Sequence, residues 1–143
     1  MSYLIIACFS VFLFWSSGVM ERDNTLAAQE YQTSTQRQQA SETIRYLNNI
    51  VDYLYHHPLT DGVIADSELD VAPPPGVAHV IQGGRIFVYQ LTTPALTGAM
   101  NDLSGRSALL GITTSRRLID LCGTDMQVTV PDVIPDGHLV YLN

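Results

Sequence analysis

The chain contains no lysine. Its only permanently cationic side chains are seven arginines, set against fourteen carboxylates for a net charge of −7 over 143 residues. Binding phosphates takes a clustered basic face, and none can be assembled from so few dispersed arginines. Nucleic acid is therefore excluded as a partner, and recognition of anionic lipid headgroups is disfavoured on the same ground. Cysteine is scarce as well: Cys8 lies inside an apolar run and Cys122 near the other end of the sequence. The two cannot pair within one chain if the run sits in lipid, so this is no disulfide scaffold and cysteine usage does not reveal the compartment.

Charge is missing altogether from residues 3–20, YLIIACFSVFLFWSSGVM, and returns at once in Glu21-Arg22-Asp23. A helix of this length rises about 27 Å, close to the roughly 30 Å hydrocarbon core, and Tyr3 and Trp15 are suitable interfacial aromatics. A cleaved secretion signal would want a basic n-region and a small-x-small site. No Lys or Arg precedes the run, and Ser16-Ser17-Gly18 is a poor site. A pilin stem would want a basic leader and a glutamate near the start of the run, whereas Glu21 follows it. The expectation is a transmembrane anchor over residues 1–23. Arg22 alone is too little charge to orient it.

Glycine and proline are absent from residues 24–57. This stretch begins polar and becomes amphipathic, with Ile44, Leu47, Val51 and Leu54 on one helical face. It predicts a helix over about 25–56 packed on the protein's own sheet, ended by Pro58. Residues 58–76, with Asp61-Gly62 and Pro73-Pro74-Pro75-Gly76, read as a connector. Residues 77–143 read as the sheet region. Gly83-Gly84 joins two β-rich runs as a hairpin, with Phe87, Tyr89 and Leu91 on one face and Ile86 and Val88 on the other. Pro94–Leu103 suits a short helix. ALLGITT and RRLIDL supply two further strands, and MQVTV and GHLVYL a final pair. The fold expected is α+β: a transmembrane helix continuing into a long helix on an antiparallel sheet of about five or six strands, pilin-like in general plan, with residues 24–143 as a single soluble domain.

Catalytic chemistry is as sparse as charge. Asp66-x-Glu68-x-Asp70 has the alternation of a calcium loop, but Val71 stands where its glycine belongs and Val77 where its closing glutamate belongs. His56 and His57 are neighbours and point about 100° apart on a helix, so they cannot grip a metal as an i, i+4 pair would. Gly83-Gly84 lacks the lysine and helix of a phosphate loop, and SGRSALLG lacks the second glycine of a nucleophile elbow. Cys122 could be paired with His79 or His138 as a nucleophile, though no local signature supports it and a buried thiol is the plainer reading. No catalytic, cofactor-binding or metal-binding residue is expected, and no enzymatic activity.

The order of signals nevertheless resembles a known family. YLNNIVDYLYHHPLTDGVIADSELDVAPPPG, GGRIFVYQ, SGRSALLGI, RRLI and VPDVIPDGHLVYLN follow the anchor and helix as they do in the small PilM proteins of conjugative-plasmid and integrative-element type IV (thin) pilus clusters. The most telling pieces are DG.I.DS.L, GR..LLGI and IP.G.LV. The resemblance implies a non-enzymatic inner-membrane component of the pilus assembly apparatus, its C-terminal domain in the periplasm and other assembly proteins or pilin as partners. It carries over no catalytic residue. A minor pilin-like fibre subunit and a released periplasmic binding module are the alternatives. Each piece also has a structural reading: Pro135-Asp136-Gly137 as a turn, and Gly111 as a bulge or a close backbone approach.

Overall fold

The computed structural model describes the backbone of residues 2–143 and the side chains of residues 25–143; the side chains of the apolar run at 3–20, and with them the expected anchor, lie outside the described residues. Among the described residues no helix is long and apolar enough to cross a membrane. The chain forms two compact units, Met1–Thr35 and Gln36–Asn143.

Helix α1 spans Ser2–His56. In its polar stretch the hydroxyls of Thr33, Ser34 and Thr35 donate to carbonyls three or four residues back, a local alternative to solvent for side chains that otherwise disfavour helix. The helix stops where Pro58 requires it, with the His57 amide still donating to the Tyr53 carbonyl. A single 3-10 turn at Asp66–Glu68 follows. Strands β1 (Ala78–Gln82) and β2 (Arg85–Leu91) form the expected hairpin, and Gly83 and Gly84 both hold positive φ in its two-residue turn. Helix α2 is Pro94–Leu103; Thr93 caps it by accepting from the Leu96 amide, and Pro94 occupies the first turn. Strands β3 (Leu110–Thr114), β4 (Arg117–Asp120), β5 (Asp125–Thr129) and β6 (His138–Leu142) complete an antiparallel sheet.

Its order is β1-β2-β6-β3-β4-β5. The MQVTV and GHLVYL runs, expected as a final pair, are not partners. β5 lies at the edge on β4, while β6 is inserted between β2 and β3. The reason lies between them: Val130 and Ile134 are buried beneath the sheet, so the chain crosses that face before it pairs again.

The core has two layers. On one face Tyr46, Leu47 and Ile50 of α1 pack on Ile81, Ile86 and Val88, and Ala40 joins α2's Leu96, Ala99 and Met100 over Leu110 and Leu139. The stripe is therefore turned slightly from the expected one. Leu47 is fully buried, Ile44, Val51 and Leu54 lie at its flank, and Tyr46 and Ile50 take its centre. On the other face Val80 and Phe87 meet Leu118, Val130, Val140 and Leu142, so the sheet curls around a second cluster. Gly111 permits that curl. A Cβ there would stand 2.7 Å from the Ile119 carbonyl oxygen and 2.9 Å from the Leu118 side chain. Its pairing with Asp120 is in regular register, so the glycine marks a close approach and not a bulge.

The connector is more than a spacer. Gly62 exchanges both backbone hydrogen bonds with Ile81 and so covers the outer edge of β1, while Ile64 and Leu69 enter the helix-side core.

Candidate functional site

The fold brings some of the residues with chemical potential in the sequence together and separates the others. Asp66 and Glu68 lie on the 3-10 turn, and Glu68 accepts a hydrogen bond from the Tyr53 hydroxyl at 3.0 Å. Glu68 and Asp70 share a cleft of about 330 Å³ with Asp52, His56 and His57. His57 stacks on Tyr53, and His56 Nδ1 donates to the Asp52 carbonyl of its own helix. Among the described residues no three histidine, cysteine or acidic side chains converge as metal ligands.

Cys122 is exposed on the turn between β4 and β5, contrary to the buried thiol read from the sequence. The turn's hydrogen bonds set this exposure: the Asp120 carboxylate accepts from the Cys122 and Thr124 amides and holds the turn at the surface. Neither histidine considered as its base serves it. His138 sits on β6 against Tyr89, and His79 is buried with both ring nitrogens engaged.

That His79 arrangement is the chief buried polar feature. The Ile64 amide donates to Nε2 at 3.0 Å, which requires Nε2 to be bare and puts the ring proton on Nδ1. Nδ1–H then donates to the Tyr46 hydroxyl at 2.7 Å. One imidazole thus links α1, β1 and the connector. Burial lowers the His79 pKa from its ordinary 6.5, against an opposing pull from the Asp66 carboxylate. Burial, reinforced by that carboxylate, pushes Tyr46 up to about 12. Both groups are held neutral, which suits a structural tie and not an acid–base pair open to substrate. A second tie lies farther along the helix, where Gln90 on β2 accepts from Gln39 at 3.0 Å.

The resemblance-bearing pieces prove to be fold-holding. Asp61 accepts from the Gly83 amide at 2.8 Å, Gly62 pairs with Ile81, and Ile64 and Leu69 are core. In the turn before β6, the Thr113 hydroxyl donates to the Pro135 carbonyl at 2.7 Å and accepts from the His138 amide at 3.0 Å.

A groove on the curled side of the sheet has no counterpart in the sequence patterns. It encloses about 540 Å³ between the β1–β2 hairpin, with Gln82, Arg85 and Phe87, and β5, with Met126, Gln127 and Val128. β5 bulges here: Arg117 opposes Thr129 and Ile119 opposes Asp125, so three residues of β5 face one of β4. Gln127 takes a φ of 57° at the bulge, and its amide donates to the Asp125 carboxylate at 2.7 Å.

Comparison with known proteins agrees with this architecture. The chain matches the PilM family model over residues 11–142. It is also similar to the crystal structure of a protein carrying the name PilM, from Escherichia coli B7A, with 39% identity and a TM-score of 0.67 over 78% of this chain and 94% of that one. No match is found among curated proteins. The extent of the family match shows that the chain belongs to the PilM family.

Proposed function

We propose that this protein is a non-enzymatic component of a type IV pilus assembly apparatus, held in the inner membrane by residues 3–20 with its sheet-bearing unit in the periplasm. There it acts as a scaffold or adaptor for pilin delivery or the pilus base. The observation that carries the pilus-related reading is the family match along nearly the whole chain. Support for a binding role comes from the site geometry: His79 and Tyr46 are spent on tying α1, the connector and the sheet together, while a groove and a sheet edge uncovered among the described residues face outward. Support for anchoring comes from the charge-free run at 3–20. A fibre subunit is the second reading, favoured by the packing of a long helix on an antiparallel sheet.

Fractionation with a topology reporter tests this. The full chain should stay with the inner membrane through an alkaline wash, and alkaline phosphatase fused after Asn143 should be active. Phe12→Arg should weaken insertion by roughly 2.5–3.5 kcal/mol and release protein from the membrane. Wild-type protein recovered wholly in the wash, or a reporter active only in the cytoplasm, contradicts the reading. Immunogold labelling along purified pili would favour the fibre subunit.

A further inference from the structure

The groove beside β5 differs in charge from the rest of the molecule. Carboxylates outnumber arginines two to one along the chain, yet the groove is lined by one arginine and no acid. Arg85 is exposed there, and neither of the two ion pairs among the described residues includes it. The two acids bound beside the lining are already committed, Asp125 to Arg117 at 3.4 Å and to the Gln127 amide, and Asp61 to the Gly83 amide at 2.8 Å. Beside Arg85 the lining turns apolar: Phe87 belongs to the buried cluster, and half-buried Met126 and Val128 pack against it. The two edges of the sheet also differ. Gly62 covers β1, whereas β5 carries no strand on its outer side among the described residues. The bulge at Gln127 spoils β5 as a template for a regular added strand and is a device that re-aims side chains.

We propose that this groove is the docking site for an extended segment of a partner polypeptide that carries a large apolar side chain next to a carboxylate. The apolar side chain lies on Phe87, Met126 and Val128, and the carboxylate meets Arg85. The volume suits a few side chains, and the flexible thioether of Met126 can adapt to the one that enters. An unpaired cation at the rim of an apolar groove selects for acid by charge complementarity, in a protein whose own negative charge repels acidic partners elsewhere. The inference rests on the adaptor reading for its biological meaning. Its test involves no pili, so either can fail without the other.

The test uses the full-length chain, isotopically labelled, and two capped pentapeptides. One has leucine between two glutamates; its twin has lysines in their place. At millimolar concentration the acidic peptide should shift the amide resonances of Arg85 and of residues 126–129, and should bind about fivefold tighter than the twin. Arg85→Glu, at an exposed position, should reverse that preference, and Arg85→Gln should abolish it if the reversed charge disturbs folding. Met126→Ser should weaken both peptides alike. The proposal is overturned if shifts map away from the hairpin and β5, if the two peptides bind equally, or if the preference survives both Arg85 variants.

Discussion

At the scale of single residues, His79 decides more than any group at the surface. Protonating it puts a second N–H against the Ile64 amide and leaves that donor without an acceptor in the core. Its folded pKa is lowered by burial, so at acid pH the unfolded chain takes up a proton that the folded one resists. The contribution of His79 is therefore complete above its ordinary pKa of 6.5 and is lost as pH falls from there towards the lowered folded value. Denaturant unfolding of the full chain at pH 7.5 and 5.5 should show lower stability at the acid value, and His79→Gln should flatten the difference. A slope unchanged in the variant would contradict the assignment to His79. Gly111 gives a second residue-scale prediction. With a backbone oxygen 2.7 Å from the would-be Cβ, Gly111→Ala should cost about 1–3 kcal/mol, read as a lower unfolding midpoint.

At the scale of elements, α1 and the sheet hold each other, and the burial pattern grades the cost of cutting into the contact. Leu47 is 3% exposed and should lose about 2–5 kcal/mol on truncation to alanine. Leu54, partly buried at the flank of the same cluster, should lose distinctly less. Thermal melting of the two variants beside wild type checks the order; equal losses would mean that the stripe is centred on the wrong face. Much of this element was legible in the sequence. Absence of glycine and proline set its extent, Pro58 its end, and 3.6-residue periodicity its buried side. What periodicity could not supply is the turn of the stripe towards Thr43, Tyr46 and Ile50. Polar Thr43 and Tyr46 enter the core because Gln90 and His79 meet them there, and both partners lie elsewhere along the chain. The hairpin, α2 and the two faces of β2 were readable for the same local reasons. The central place of β6 was not, because strand order depends on which face residues 130–137 cross. The connector was underestimated because its turn residues mask two core positions, Ile64 and Leu69, that follow no regular period. The groove was invisible because it forms between β2 and β5, about forty residues apart and not paired with each other.

At the scale of the whole molecule, a folded unit whose buried His79 and Tyr46 are committed to structure follows an apolar run that would fix it at a membrane. Unit Gln36–Asn143 contains every buried cluster among the described residues, so it is expected to fold without the N-terminal run. If the protein works as an anchored assembly component, folding alone is insufficient for activity. The most direct test is a count of pili per cell in a strain lacking this gene, complemented either with the full chain or with residues 36–143 exported behind a cleavable signal. The account predicts that the deletion strain is bald, that the full chain restores pili, and that the exported unit accumulates folded but restores none. Normal piliation in the deletion strain, or full rescue by residues 36–143 alone, would contradict it.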